Sequence, residues 1–411
     1  MRGRRWGDVS LAVVLLVAAG AADAATRQDG RAAGRFGCES SVPYVSGAGG
    51  YAVYRVPAVV RTRAGTLLAF AEGRVHGAGD SGAVDIVLRR STDGGCSWGP
   101  LRVVTAGHGD TRGNPAPVVD PHSGDVVLMS TGNAGAVTES MVLRGRVDAA
   151  RGRRVFVQRS ADDGRGFSAP RDITSSVRRD GWRWYATGPG HAIALTHGRY
   201  AGRLVVPANH SAAPPPGSAD TGREPRWYGA HALLSDDGGH SWRVGYVDAE
   251  YEGAVDANES TAAELPDGVI LFSARDQHGT APGNRADSRS GDGGGTLDRR
   301  YAPQPSLDAV PIVQGSLLTV EDVAPRPHGL LLFSAPSVPT ARASAALWTS
   351  TDGGHTFAPA VTLSRRPAAY SDLVRVDART IGVLYETGAR TPYETVVFRR
   401  VPLAALTPAA P

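Results

Sequence analysis

Only two cysteines occur in the 411 residues, Cys38 and Cys96, and no histidine cluster shows ligand spacing. Two thiols without such a cluster point away from a metal site. The arginines are scattered, with no basic run and no interleaved aromatics, which argues against nucleic acid as a partner. Beyond the N-terminus no apolar stretch reaches the length of a membrane-spanning helix. Helix signals are nearly absent, and 403–411 shows no sorting signal. What remains is an ordinary globular balance, 20% charged and 41% hydrophobic, with 52 glycines. The formal charge of +4 leans only slightly toward an acidic ligand.

The first residues read as an export signal. Arg2, Arg4 and Arg5 precede the apolar Leu11 to Ala19, and Ala22-Asp-Ala24 is a small-x-small cleavage site. A signal peptide over 1–24, a disordered mature N-terminus over 25–36 and a secreted location are therefore expected. In an exported chain the cysteine pair is expected to be bridged, tying the segment before the first strand to the first repeat.

That repeat organises the chain. Ser91-Thr-Asp-Gly-Gly-Cys-Ser-Trp98, Ser235-Asp-Asp-Gly-Gly-His-Ser-Trp242 and Ser350-Thr-Asp-Gly-Gly-His-Thr-Phe357 share one pattern. Ser160 to Phe167 and Ser290 to Leu297 are looser copies, with Gly166 replacing Ser/Thr in one and Leu297 replacing the aromatic in the other. Asp before Gly is a turn signal: the carboxylate is expected to take N–H groups two residues on, with Gly at positive φ. The closing aromatic anchors the turn. Apolar runs lead into most copies, so each is expected to join two strands. Successive starts lie 69, 75, 55 and 60 residues apart. That spacing suits one four-stranded unit per copy and predicts an all-β fold, a β-propeller.

Several residues stand out against this background. Arg55 interrupts the apolar strand Tyr51 to Val60, and an Arg there is costly to bury unless it meets an anion. Arg275 ends the run from Val269, and Arg342 precedes the run from Ala343. If equivalent inner-strand positions converge on a propeller axis, three guanidiniums meet there, which makes sense only around an anion. Glu259 lies sixteen residues before Arg275, Tyr370 opens Tyr-Ser-Asp-Leu373, and Glu386 ends Val-Leu-Tyr-Glu386. Asp80 sits in a Gly-rich loop after Glu72-Gly-Arg74. Glu264 reads as a surface turn residue.

The eight-residue copies resemble the Asp boxes of the sialidases, which are structural turns at the rim of a six-bladed propeller. The single-copy residues carry the same resemblance. Tyr54-Arg-Val-Pro57 looks like the motif of the family's first carboxylate-binding Arg; Glu259 with Arg275, and Arg342, resemble the segments of the second and third. Ala369-Tyr-Ser371 resembles the nucleophilic Tyr segment, Leu384-Tyr-Glu386 the one whose Glu orients the first Arg, and Arg74 with Asp80 the second active-site Arg and the acid/base Asp. Asn114, in Gly-Asn-Pro, stands where relatives carry Asp or Asn near the substrate's C4 side, and Ser273 replaces a frequent Asn.

The resemblance, to the secreted bacterial exo-sialidases, covers about 51 to 387. It implies a single six-bladed propeller over 37–405, monomeric, that acts on sialylated glycans without metal or cofactor. Its Arg55, Arg275 and Arg342 would hold the sugar carboxylate. Tyr370 would be the nucleophile, Glu259 its base and Asp80 the acid/base, giving retention. Trp182, Trp184 and His191 are candidates for the N-acetyl and glycerol pockets. Other outcomes stay open: preference for a deaminated sialic acid, transfer to another sugar, or a non-catalytic sialoglycan-binding propeller.

Overall fold

A computed structural model describes residues 37–249, 251, 253–323 and 329–407. The expected signal peptide and disordered N-terminus lie outside these. Twenty-five strands make up nearly all of the regular structure in the described chain, with two helices of five and four residues and four short 3-10 turns. No helix of the described residues is long and apolar enough to cross a membrane.

The strands pair as antiparallel meanders. One sheet runs Ala257–Glu264, Ile270–Asp276, Arg285–Ser290, Ala302–Pro303; another runs Ser316–Val320, Leu330–Val338, Ala341–Ser350, Ala358–Thr362. A third, five-stranded, follows Trp182–Thr187, Leu204–Ala212, Tyr228–Ser235, Arg243–Val247, with Ile193–Ala194 beside Leu204–Ala212. The fourth takes its outer strand from the chain start: Ser40–Val45 pairs with Thr395–Pro402, followed inward by Thr380–Thr387 and Ala368–Asp377. The fifth path is eight-stranded. It begins Val53–Arg61, Leu67–Arg74, Val84–Ser91 (with Arg102–Thr105 alongside) and continues Thr111–Val119, Val126–Asn133, Arg154–Ser160, Arg171–Asp172. Separate four-stranded sheets for every unit, as the sequence suggested, are thus not found: one parallel pair, Val84 with Thr111, fuses two meanders. The arrangement is all-β and propeller-like.

Burial explains the sequence pattern. The middle strands Leu67–Arg74, Val126–Asn133 and Tyr228–Ser235 are buried at every position, because both faces of their sheets are covered. Leu67 to Ala71, Val126 to Met129 and Ala232 to Leu234 therefore read as continuous apolar runs instead of alternating ones. Outer strands such as Ala358–Thr362 are mostly exposed. Glu264, expected at the surface, is buried and accepts from Thr196 N at 2.6 Å. The innermost strands are tied by polar groups. Asp372, fully buried, accepts from Val59 N (2.8 Å), His191 N (2.9 Å) and Ser316 Oγ (2.8 Å), so one carboxylate joins four segments.

All five copies of the repeat connect the third strand of a unit to its outer strand, as Ser235–Trp242 does between Tyr228–Ser235 and Arg243–Val247. The Asp reaches further than expected: it bonds N–H groups three and four residues on, not two. Asp93 accepts from Cys96 N at 3.1 Å and Ser97 N at 3.0 Å, and Asp237 from Ser241 N at 2.8 Å. The first Ser closes the turn from the other side, Ser235 Oγ accepting from Gly239 N at 2.8 Å. Two consecutive residues take positive φ, as Gly238 (66°) and Gly239 (91°) do, so the chain reverses before the fourth residue and brings that N–H to the carboxylate. Cys38 and Cys96 form a disulfide, Cα–Cα 5.5 Å, linking the chain start to the first of these turns.

Candidate active site

In an antiparallel meander the start of the first strand, the end of the second and the start of the third share one edge. The singled-out residues fall on that edge. Arg55, Asn114, Glu259 and Tyr370 lie near the starts of innermost strands, Arg74, Arg275 and Glu386 at the ends of second strands, and Arg342 at the start of a third. The three arginines are thus not at equivalent inner-strand positions, as the sequence suggested; they reach one point from three different strand ranks. The box turns follow the ends of third strands, so they occupy the opposite edge.

The innermost strands also break register where these side chains sit. Bulges fall between Arg55 and Ala58, Gly113 and Ala116, Ala257 and Ser260, and Ala368 and Ser371. A bulge re-aims a side chain out of the ladder. Val56 and Asn114 take positive φ, 55° and 54°, costly for non-glycine residues and for a β-branched one above all. Each N–H freed in this way is captured by a carboxylate: Val56 N donates to Glu386 Oε1 and Asn114 N to Glu72 Oε1, both at 2.8 Å.

One cavity is lined by Arg55, Arg74, Asp80, Asn114, Glu259, Arg275, Arg342 and Tyr370. Tyr370 Oη donates to Glu259 Oε1 at 2.5 Å, and Arg275 Nη1 donates to Glu259 Oε2 at 2.8 Å. Burial, and then the Glu259 carboxylate, push the Tyr370 phenol well above its ordinary value, against the pull of Arg275, Arg55 and Arg342. Arg55 is backed by Glu386, Nε to Oε1 3.3 Å, and its buried Nη2 has no hydrogen-bond partner among the described residues. A buried donor without an acceptor is costly, and an anion arriving in the cavity removes that cost. Glu386 is completely buried behind the cavity and also accepts from Tyr370 N at 3.2 Å.

Asp80 is the exposed member, its side chain 61% accessible. It lies 2.9 Å from Arg74 Nη1 and 3.6 Å from Arg55 Nη1. Burial raises its pKa, but Arg74 and Arg55 outweigh this and hold it below the ordinary carboxylate value. Arg74 is itself gripped by Glu72, Nε to Oε2 2.9 Å.

Of the pocket candidates, Trp184 lines the cavity and Trp182 and His191 do not. Trp182 is buried and stacks on His210 at 3.9 Å; His191 Nδ1 is paired with Asp372 at 2.7 Å. Two tryptophans two apart share a strand face only in an unbroken strand, and this one shifts register between Trp182 and Tyr185. The sequence reading missed Arg153. Fully buried, it donates to Asn114 Oδ1 (2.6 Å), Asn133 Oδ1 (2.9 Å) and Tyr185 O (2.9 Å), with its Cζ 4.1 Å from the Trp184 ring centroid. Burial lowers its pKa to about 10, which leaves it a cation at neutral pH. Glu139, Asn209, Asn258 and Gln277 also line the cavity and were missed too. Among the described residues no cluster of His, Cys, Asp or Glu is placed to hold a metal.

Fold and cavity together describe a propeller-like protein whose single-copy residues build a cationic pocket holding a phenol–carboxylate pair, suited to an acidic ligand. The BNR repeat-like domain family matches residues 65–383. An exo-alpha-sialidase of Aspergillus fumigatus is 31% identical over 86% of this chain and 85% of its own length. A sialidase of Micromonospora viridifaciens is 32% identical over 85% of this chain, which spans about half, 52%, of that protein. Among solved structures, the Hadza microbial sialidase Hz136 superposes with a TM-score of 0.72 at 26% identity, over 87% of this chain and 67% of its own. The chain belongs to the sialidase family of glycosidases.

Proposed function

We propose that the protein is a retaining exo-α-sialidase, removing terminal α-linked sialic acids from glycoconjugates through a covalent intermediate on Tyr370. The observation that carries this is the 2.5 Å contact of Tyr370 Oη with Glu259 beside Arg55, Arg275 and Arg342. The arginines take the C1 carboxylate, which puts C2 beside the phenol. A carboxylate nucleophile there would be repelled by the substrate's own charge; a neutral phenol is not, and Tyr-nucleophile sialidases are a known exception to the two-carboxylate rule. Tyr370 resists ionisation at rest, so Glu259 takes its proton as the bond to C2 forms. Asp80 protonates the departing oxygen and then activates water. A substrate carboxylate on Arg55 neutralises one of the cations that keep Asp80 ionised, so binding itself favours the acid form. Two displacements at C2 give retention.

This reading extends to the whole chain. The eight-stranded path divides at its one parallel pair into two four-stranded units, which supports a six-bladed ring over 37–405, closed by Ser40–Val45 in the last blade. The Cys38–Cys96 disulfide supports a secreted enzyme, since such bonds persist in oxidising compartments. We infer a monomer acting without metal.

A second reading, preference for the deaminated sugar, is favoured by Arg153. Its guanidinium, with Asn114, makes one wall polar and cationic. Such a wall suits a hydroxyl substituent better than the methyl of an N-acetyl group.

The test is release of 4-methylumbelliferone from the N-acetylated and deaminated α-sialosides with chelator present, for wild type and Tyr370→Phe. The proposal expects wild-type turnover and a loss of about 10³-fold or more in the variant. Undiminished Tyr370→Phe activity would sink the mechanism. A wild type inert on both sugars would sink the activity.

A further inference from the structure

The three arginines are not held alike. Arg55 leans on Glu386 and Arg275 on Glu259, carboxylates that fix each guanidinium but cancel part of its charge. The hydrogen-bond partners of Arg342 are neutral: Nη1 donates to Tyr393 Oη at 3.1 Å and Nη2 to Ile312 O at 3.4 Å. Tyr393 also lies under Arg55, whose Cζ is 4.3 Å from its ring centroid. One side chain therefore touches two of the three cations, one through its hydroxyl and the other through its π face.

Tyr393 is held firmly where it stands. It lies in the loop between Thr380–Thr387 and Thr395–Pro402. Glu394 caps that loop, accepting from Ala389 N (2.8 Å), Arg390 N (2.8 Å) and Thr391 N (2.9 Å). Ser46 Oγ donates to Tyr393 O at 2.7 Å, so the segment after the ring-closing strand pins the residue from the other side.

We propose that Tyr393 is a positioning residue for the anion grip: a neutral brace that sets the separation of the Arg55 and Arg342 guanidiniums while leaving the charge of Arg342 undiminished for the ligand. This deepens the reading of the cavity as a carboxylate site and rests on it. A phenol satisfies an arginine donor without opposing an incoming carboxylate; a glutamate in its place would repel it. Tyr393 does not line the cavity and acts only through the two arginines.

The test compares Tyr393→Phe, which keeps the ring and removes the hydroxyl, with Tyr393→Ala, using Michaelis kinetics on the preferred sialoside and thermal melting. The expected result is a KM raised about 5- to 10-fold in Tyr393→Phe, with kcat within about twofold and an unchanged Tm. Tyr393→Ala should raise KM further, to about 50-fold, because the ring under Arg55 is lost as well. Wild-type KM in both variants overturns the proposal, and so does a fall in kcat that tracks a lowered Tm. If the wild type hydrolyses neither sialoside, the proposed activity fails, and calorimetric binding of free N-acetylneuraminic acid reads the brace separately. There a Kd weakened 5- to 10-fold in Tyr393→Phe supports it, while an equal Kd, or no binding by wild type, overturns it.

Discussion

In each box turn the carboxylate is consumed by its own turn. Asp237 takes Ser241 N and Oγ and Ser235 Oγ, all within eight residues of sequence. In the cavity at the other edge of the same sheets, polar groups are held from a distance and left incomplete. Arg55 Nη2 has no partner among the described residues, and Glu386, which backs Arg55, comes from more than three hundred residues away. Repetition goes with closed local bonding; the cavity residues occur once each, and Arg55 and Tyr370 are bonded across sheets. The difference separates structure from function here. A closed local turn can be copied five times without creating a site, whereas an unsatisfied buried cation persists only where something else is to satisfy it.

The comparison can be broken first at the cavity. Arg55→Lys keeps the charge but loses the planar fork, and kcat/KM should fall about 100-fold while melting stays near wild type. An equal loss of stability and activity would mean that Arg55 is a structural cation. At the turns the expectation reverses. Asp237→Ala should cost about 1–2 kcal/mol of stability, the scale of a lost cap, with kcat/KM unchanged; altered kinetics would tie the turns to the site.

Acid titration sharpens the same contrast. Burial pushes the Asp237 and Asp352 carboxyls up, but bonds from Ser241 and Thr356 and from the leading serines outweigh it and hold both at about 2. A carboxyl held below its unfolded value stabilises the fold above that value and loses the contribution as pH falls through the folded one. The stability gap between wild type and Asp237→Asn should therefore be full at pH 6, shrink below about pH 4 and close near pH 2. A gap constant across that range would remove the turn carboxylates from the pH dependence.

The smallest effect concerns the weakest copy. Ser97, Ser241, Thr296 and Thr356 each give the turn Asp a hydroxyl as well as an N–H; Gly166 gives Asp162 only its N–H, at 2.9 Å. A Cβ at Gly166 would lie 3.3 Å from Asp162 Oδ2, close enough for a serine hydroxyl to bond. Gly166→Ser should stabilise by about 0.5–1 kcal/mol, read by chemical denaturation. No change would show that the missing hydroxyl costs this turn nothing.

Part of the site was legible because its residues break local rules: an arginine in an apolar strand conflicts with burial unless a partner exists. Arg74, Asp80 and Asn114 were legible only through the resemblance to the sialidase motifs. Arg55, Arg74, Asp80, Asn114, Glu259, Arg275, Arg342 and Tyr370 line one cavity, with Glu386 behind it. The misses share a cause. Arg153 stands in Arg151-Gly-Arg-Arg154, where no apolar neighbour singles it out as buried, and only its bonds to Asn114 and Asn133 reveal a buried wall. Tyr393 sits in a polar loop whose single aromatic was the one available signal. Trp182 and His191 were candidates for the substrate pockets, and a shifted register and a carboxylate far off in sequence took them elsewhere.

The sequence by itself determined what local chemistry can: turns closed within eight residues, strands buried on both faces, and the identities of the charged residues that such strands cannot hold alone. Only the tertiary structure decided which of these meet. It brought Arg55, Arg275 and Arg342 together from three strand ranks of three sheets, and it chose a carboxylate for two of them and a phenol for the third. The Arg275–Glu259 pair lies within one hairpin, but the Arg55–Glu386 and Arg342–Tyr393 pairings join residues far apart in the chain, and no short window of sequence contains them.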